Sequence, residues 1–169
     1  MVLESLGCEK YLNEHLGSSC YHFRWSKYKA TGLDDREVLL SPHTDQNFLT
    51  ILYQNGVNGL EIQTKNGEWN FVQQLPNSFI VLVGDSFHAW SNGRLRTQMH
   101  RVTMSGFATR YSIGIFVSPK PWYVVSAPDE FIDEEHPLHY RPFEAGEYFE
   151  YTKSTGAQGE PRLKSFCGI

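Results

Sequence analysis

The chain has 169 residues, of which 40% are hydrophobic and 14% aromatic, and a formal net charge of −4. That is enough apolar material for the core of one domain, and without a long basic run nucleic acid is not an expected partner. No segment approaches the ~18 apolar residues of a membrane span, the stretch MVLESLGCEKYLNEH lacks a signal core, and three scattered cysteines (Cys8, Cys20, Cys167) argue against a disulfide framework and for a reducing, cytoplasmic setting.

Residues 2–16 carry Val2, Leu3, Leu6, Leu12 and Leu16 at helical spacing, which predicts one amphipathic helix with Gly17 as its stop. From Tyr21 to Val117 the pattern changes to short strands punctuated by turns. Asn66-Gly67, between Leu60–Gln63 and Trp69–Val72, predicts a tight hairpin, because Asn-Gly readily adopts positive φ. Asn92-Gly93 repeats that signal after Phe87–Trp90. Phe79–Val83 reads as a buried strand, and Arg110–Val117 as another, closed by Pro119 and Pro121. Many short strands with regular turns predict an all-β barrel or jelly roll. The core is expected over about residues 21–121 of a single domain, with an extension over about 122–169. Within that extension, 128–135 reads as an acidic loop or short helix, 144–153 as a helix, and the tail from Ser154 as mobile.

Three patterns carry chemistry. In His43-Thr44-Asp45, a histidine and a carboxylate two residues apart would share one face of a strand and approach one metal together. Taken alone the pair is weak, and a histidine hydrogen-bonded to a nearby carboxylate is the simpler reading. His100, on a later predicted strand, supplies a third ligand; two histidines and one carboxylate leave open positions that suit non-haem Fe(II). Arg110 and Ser112, again two apart, could grip a carboxylate through a guanidinium fork and a hydroxyl, and a hairpin across Ser105-Gly106 would bring Arg110 towards His100. The alternative of a surface arginine is disfavoured by the apolar run around it, since an unpaired buried charge is costly.

In their order and separation, Pro-His-Thr-Asp at 42–45, Met-His-Arg-Val at 99–102 and Arg-Tyr-Ser at 110–112 resemble the plant soluble 2-oxoglutarate/Fe(II)-dependent dioxygenases. Val83-Gly84-Asp85 and Trp90–Arg94 match the family's usual wording. MVLESLG, Tyr28-Lys29, LTILYQN, DEEHPL and the terminal Cys-Gly-Ile are similar to the branch with alkenyl- and hydroxyalkyl-producing dioxygenases of glucosinolate side chains. The resemblance implies a double-stranded β-helix, the jelly roll of the cupin-like folds, with an N-terminal helix and short C-terminal helices. It implies Fe(II) on His43, Asp45 and His100, and 2-oxoglutarate on Arg110, Ser112 and Tyr28, with Ser26 where the family commonly has Asn. It also implies dioxygen as cosubstrate, ascorbate as a reductant, and a small plant metabolite oxidised by hydroxylation, desaturation or related C–H chemistry.

Phe48, Tyr53, Phe71, Phe116 and Trp122 are candidate pocket residues, each more readily explained by core packing. Gly84-Asp85-Ser86 reads as a turn rather than a nucleophile, His88, His136 and His139 lack metal-ligand spacing, and Asp133–Glu135 reads as a solvated surface. Members of the family are about twice as long, so an N-terminal half is expected to be missing and a sheet face to be left uncovered, open to self-association. The alternative function is a weakly active or non-catalytic remnant that keeps the metal site.

Overall fold

The strand-rich stretch folds as two four-stranded sheets in which every neighbouring pair is antiparallel. A computed structural model describes residues 1–169 except Leu33, Gln74 and Ala157. In chain order the regular elements are α1 (Val2–Ser5), α2 (Leu12–Ser18), β1 (Ser19–Tyr28), β2 (Glu37–His43), β3 (Leu49–Gln54), β4 (Leu60–Gln63), β5 (Trp69–Phe71), β6 (Ile80–Val83), α3 (Asp85–Trp90), β7 (His100–Met104), β8 (Arg110–Pro119), β9 (Val124–Val125), β10 (Phe143–Glu144), α4 (Ala145–Ser154) and α5 (Gly159–Cys167). One sheet has the order β1-β8-β3-β6 and the other β2-β7-β4-β5, the arrangement of a jelly roll, as expected.

Alternation along the strands sorts side chains between the cavity and the outside. In the first sheet, Arg24, Gly114, Leu52 and Ile80 are cross-strand partners on the inner face. Their neighbours Phe23, Ile115, Ile51 and Val81 form an apolar row on the outer face, and Trp25, Ile113 and Tyr53 form a second. This face is open to solvent: Trp25 is 73% exposed, Phe23 57% and Val81 54%. Phe79–Val83 is therefore not a buried strand; Phe79 and Val81 are exposed and only Leu82 is buried, because none of the described residues packs over one side of β6.

The two Asn-Gly pairs diverge. Residues 64–68 close the β4–β5 hairpin, with Gly67 at φ +84° and the Thr64 N–H donating to the Glu68 carbonyl at 2.8 Å. Asn92 and Gly93 instead cap a helix, since Phe87–Trp90 lies within α3. Both adopt positive φ, and the Gly93 N–H donates to the His88 carbonyl at 2.9 Å.

The ends of the chain depart furthest from expectation. The single N-terminal helix is broken at Gly7, which sits at φ +67°, and Gly17 lies inside α2 rather than stopping it. Leu12 and Leu16 are exposed. The tail folds as α5, whose Leu163 and Cys167 are buried beside Tyr148 of α4 and Phe87 and Trp90 of α3. The main apolar cluster thus lies outside the two sheets, where α3 meets the C-terminal residues and Cys8. Asp129–Phe131 forms a 3-10 turn that sends Phe131 into this cluster.

Candidate metal centre and carboxylate pocket

His43 and His100 face each other as cross-strand partners at adjoining ends of β2 and β7. Asp45 does not extend β2; it lies in the loop beyond His43, so the loop rather than strand alternation turns its carboxylate back. One donor atom from each of the three residues falls within 4.8 Å of the others, a grouping that could hold a metal ion. Asp45 Oδ1 stands 3.7 Å from His43 Nε2 and 3.9 Å from His100 Nε2.

The surrounding hydrogen bonds set the donor atoms. His43 Nδ1 is 2.8 Å from the Ser41 carbonyl and His100 Nδ1 is 2.9 Å from that of Gln98. A carbonyl can only accept, so each Nδ1 carries the proton and each Nε2 presents its lone pair inward. Burial, and then the charge of His100, lowers the His43 pKa from its ordinary value and favours the neutral ring that a metal requires. The Thr50 hydroxyl donates to Asp45 Oδ2 at 2.5 Å, and Asn47 Nδ2 donates to that hydroxyl oxygen at 2.8 Å. Asp45 is thereby held with Oδ1 directed at the histidines.

The three residues line a cavity between the sheets with Arg24, Ser26, Tyr28, Arg110, Ser112 and Phe116. Arg110 and Ser112 are buried on the inner face of β8. Arg110 does not reach His100 by a hairpin, because β7 and β8 belong to different sheets; the two residues meet across the sandwich. Gln54 Oε1 accepts bonds from Arg110 Nε at 3.2 Å and Nη2 at 2.8 Å. The Tyr28 ring centroid lies 5.1 Å from the guanidinium carbon. Gly59 makes room for the stem: a β-carbon there would stand 2.8 Å from Arg110 Cδ.

Arg110 Nη1 is buried and has no hydrogen-bond partner among the described residues. Gln54 and Tyr28 offset part of the cost of burying this cation, yet burial still lowers its pKa from the ordinary value, and one donor stays unused. A carboxylate in the cavity would complete it. Sequence reasoning missed Gln54 and Thr50 of β3 and Asn47 of the loop before it, since nothing in the local pattern tells that Thr50 and Gln54 face the site or that Asn47 reaches the Thr50 hydroxyl. Of the aromatic candidates, Phe116 lines the cavity. Phe48 is buried in the main apolar cluster, whereas Tyr53, Phe71 and Trp122 are exposed. Beyond His43 the cavity opens into a mouth of about 780 Å³ lined by His22, Arg24, Trp25, Phe116 and Phe149.

A jelly roll with two histidines and a carboxylate converging in its cavity, and a buried arginine opposite, defines a class of candidate metal-dependent proteins that bind a carboxylate. The chain belongs to the 2OG-Fe(II) oxygenase superfamily, whose sequence profile matches residues 13–119. It is 43% identical over 155 residues to the probable 2-oxoglutarate-dependent dioxygenase AOP1 of Arabidopsis thaliana, covering 89% of this chain and 52% of that protein. The dioxygenase for auxin oxidation of rice is 38% identical, with a TM-score of 0.82 over 88% of this chain and 51% of that one. JOX2, solved with 2OG, Fe and JA, is 26% identical, with a TM-score of 0.83 over 95% of this chain and 48% of that one. The chain spans about half the length of these relatives.

Proposed function

We propose that this chain carries the catalytic centre of a 2-oxoglutarate-dependent dioxygenase acting on a small organic metabolite. The observation that carries the reading is one cavity with three metal-competent donors on one side and the unpaired Arg110 Nη1 on another. In this reading His43 Nε2, His100 Nε2 and Asp45 Oδ1 hold Fe(II). Arg110, Ser112 and Tyr28 receive the distal carboxylate of 2-oxoglutarate, while the Tyr28 ring packs against the guanidinium. When bound, the iron and 2-oxoglutarate supply the oxidising chemistry, in which dioxygen converts 2-oxoglutarate to succinate and carbon dioxide and a substrate C–H bond is oxidised.

The protein's own contribution is placement. Ser41 and Gln98 fix the imidazole tautomers, and Thr50 fixes the carboxylate. Gln54 keeps the guanidinium aimed into the cavity by accepting from Nε and Nη2, which leaves Nη1 for a ligand. Phe116 and Leu52 line the cavity and limit water there.

A second reading, a centre that turns over 2-oxoglutarate but holds substrate loosely, is favoured by the open mouth and the exposed outer sheet. That apolar face is a surface for self-association. Anaerobic loading with Fe(II) and 2-oxoglutarate, followed by dioxygen and a panel of small metabolites, separates the readings. Succinate with oxidised product supports the first, and succinate alone supports the second. No metal-dependent 2-oxoglutarate binding refutes both.

A further inference from the structure

The loop that carries Asp45 is gripped from outside the cavity by residues to which the centre described above gives no role. Thr44, between two of the candidate ligands, is 4% exposed. Its hydroxyl donates to Asp85 Oδ2 at 3.2 Å and accepts from Gly159 N at 2.9 Å and Arg162 Nη2 at 3.1 Å. Arg162 Nη2 also reaches the Thr44 carbonyl at 3.3 Å and Asp85 Oδ2 at 2.5 Å. Tyr148 of α4 donates to Asp85 Oδ2 at 2.7 Å and accepts from Arg162 Nε at 3.1 Å. The Arg162 and Asp85 side chains are 3% and 0% exposed.

The same loop is held from the β6–α3 turn. The Asp85 N–H donates to the Asp45 carbonyl at 2.8 Å, and the Ser86 hydroxyl donates to that of Gln46 at 2.5 Å. Gly84 passes so close that a β-carbon would stand 2.2 Å from the Asn47 carbonyl oxygen. Residues 44–47 are thus fixed on the outer side by α3 and α5, while the Asp45 carboxylate turns towards the histidines. Arg162 lies beyond residues 13–119, the span matched by the superfamily profile.

We propose that Asp85, Arg162 and Thr44 form a positioning clamp through which the C-terminal helix sets the geometry of the His43–Asp45 ligand pair. The clamp touches neither metal nor substrate. Its charges cancel within the pair, and its hydrogen bonds fix the peptide that links the two ligands. A buried ion pair of this kind contributes little net stability against an apolar replacement, whereas it specifies one arrangement of its partners. The proposal rests on the metal-centre reading given above, and its test keeps the two apart.

The full chain, stripped of metal, is titrated anaerobically with Co(II), whose visible ligand-field absorption reports coordination geometry. Binding by the parent and its loss in His43→Ala establish the metal centre; a parent that binds no Co(II) overturns that reading and the clamp together. Thr44→Val removes the hydroxyl at nearly constant volume, and Arg162→Lys keeps the charge but cannot reach Asp85, Thr44 and Tyr148 at once. Both are expected to weaken Co(II) binding about 10-fold, the lower end for lost supporting bonds around a metal site, and to shift the absorption bands. Thr44→Ser should restore affinity and bands, with the unfolding temperature of metal-free Thr44→Val unchanged. Parent-like affinity and bands in either Thr44→Val or Arg162→Lys overturn the clamp. So does a loss that tracks a fall in metal-free unfolding temperature, or that serine does not rescue.

Discussion

An Arg110→Lys substitution keeps the positive charge in the cavity but removes the fork. In the parent, Gln54 Oε1 occupies Nε and Nη2, at 3.2 and 2.8 Å, so Nη1 is left for a ligand. A lysine has one nitrogen at the end of a flexible stem and must divide it between Gln54 and the ligand carboxylate. The loss is at least one charge-assisted hydrogen bond, about 1.5–3 kcal/mol. That corresponds to a roughly 10- to 150-fold rise in the 2-oxoglutarate dissociation constant. The measurement is anaerobic calorimetry of 2-oxoglutarate binding to protein loaded with Mn(II), a redox-quiet stand-in for Fe(II), with the metal affinity measured in parallel. The expected result is weaker 2-oxoglutarate binding at unchanged metal affinity. A 2-oxoglutarate constant within twofold of the parent would make Arg110 a structural cation and refute the reasoning. A parallel collapse of metal binding would do the same, by showing that the substitution disorders the whole cavity.

Alanine at His43, Asp45 or His100 should remove tight Fe(II) binding, since a three-donor site cannot spare one; parent-like affinity in anaerobic titrations would discard the assignment. Gly59→Ala puts a β-carbon 2.8 Å from Arg110 Cδ and 3.0 Å from the Thr103 carbonyl oxygen, so about 1–3 kcal/mol of stability should be lost in urea unfolding, together with weaker 2-oxoglutarate binding. His15 is buried among Phe48, Phe87 and Trp90, its Nε2 has no partner among the described residues, and burial lowers its pKa below the ordinary histidine value. The unfolded chain therefore takes up a proton before the folded one, and stability that is complete above about pH 6.5 declines as the pH falls through the depressed folded value. His15→Phe should flatten that decline in unfolding curves, leaving the part that His43, shifted in the same direction, contributes; an unchanged slope counts against the account. Finally, Trp25→Lys combined with Val81→Lys on the open sheet face should lower concentration-dependent association in sedimentation runs, and no change would place the contact elsewhere.

The sequence by itself determined the chemistry of the inner strand faces. The pairs His43/Asp45 and Arg110/Ser112 could be singled out because each stands two residues apart, where strand alternation puts both on one side, but their roles and that of His100 rested on the combined motif and the family it resembles. The number of short strands and turns made a barrel or jelly roll legible, and the family resemblance implied the jelly roll of the two. Tertiary structure decided how those pieces meet. Asp45 joins the histidines through a loop held by Thr50 and the β6–α3 turn, and Arg110 faces the metal-competent residues from the opposite sheet rather than along a hairpin. Asn92-Gly93 carries the same local signal as Asn66-Gly67, yet one caps a helix and the other closes a hairpin, because positive φ serves both and only packing selects. The tail from Ser154 reads as mobile from its Gly, Gln and Pro, of which Gly and Pro are poor helix formers. It is ordered by contacts that local propensity does not contain: Leu163 in the apolar cluster, and Arg162 paired with Asp85 far away in sequence.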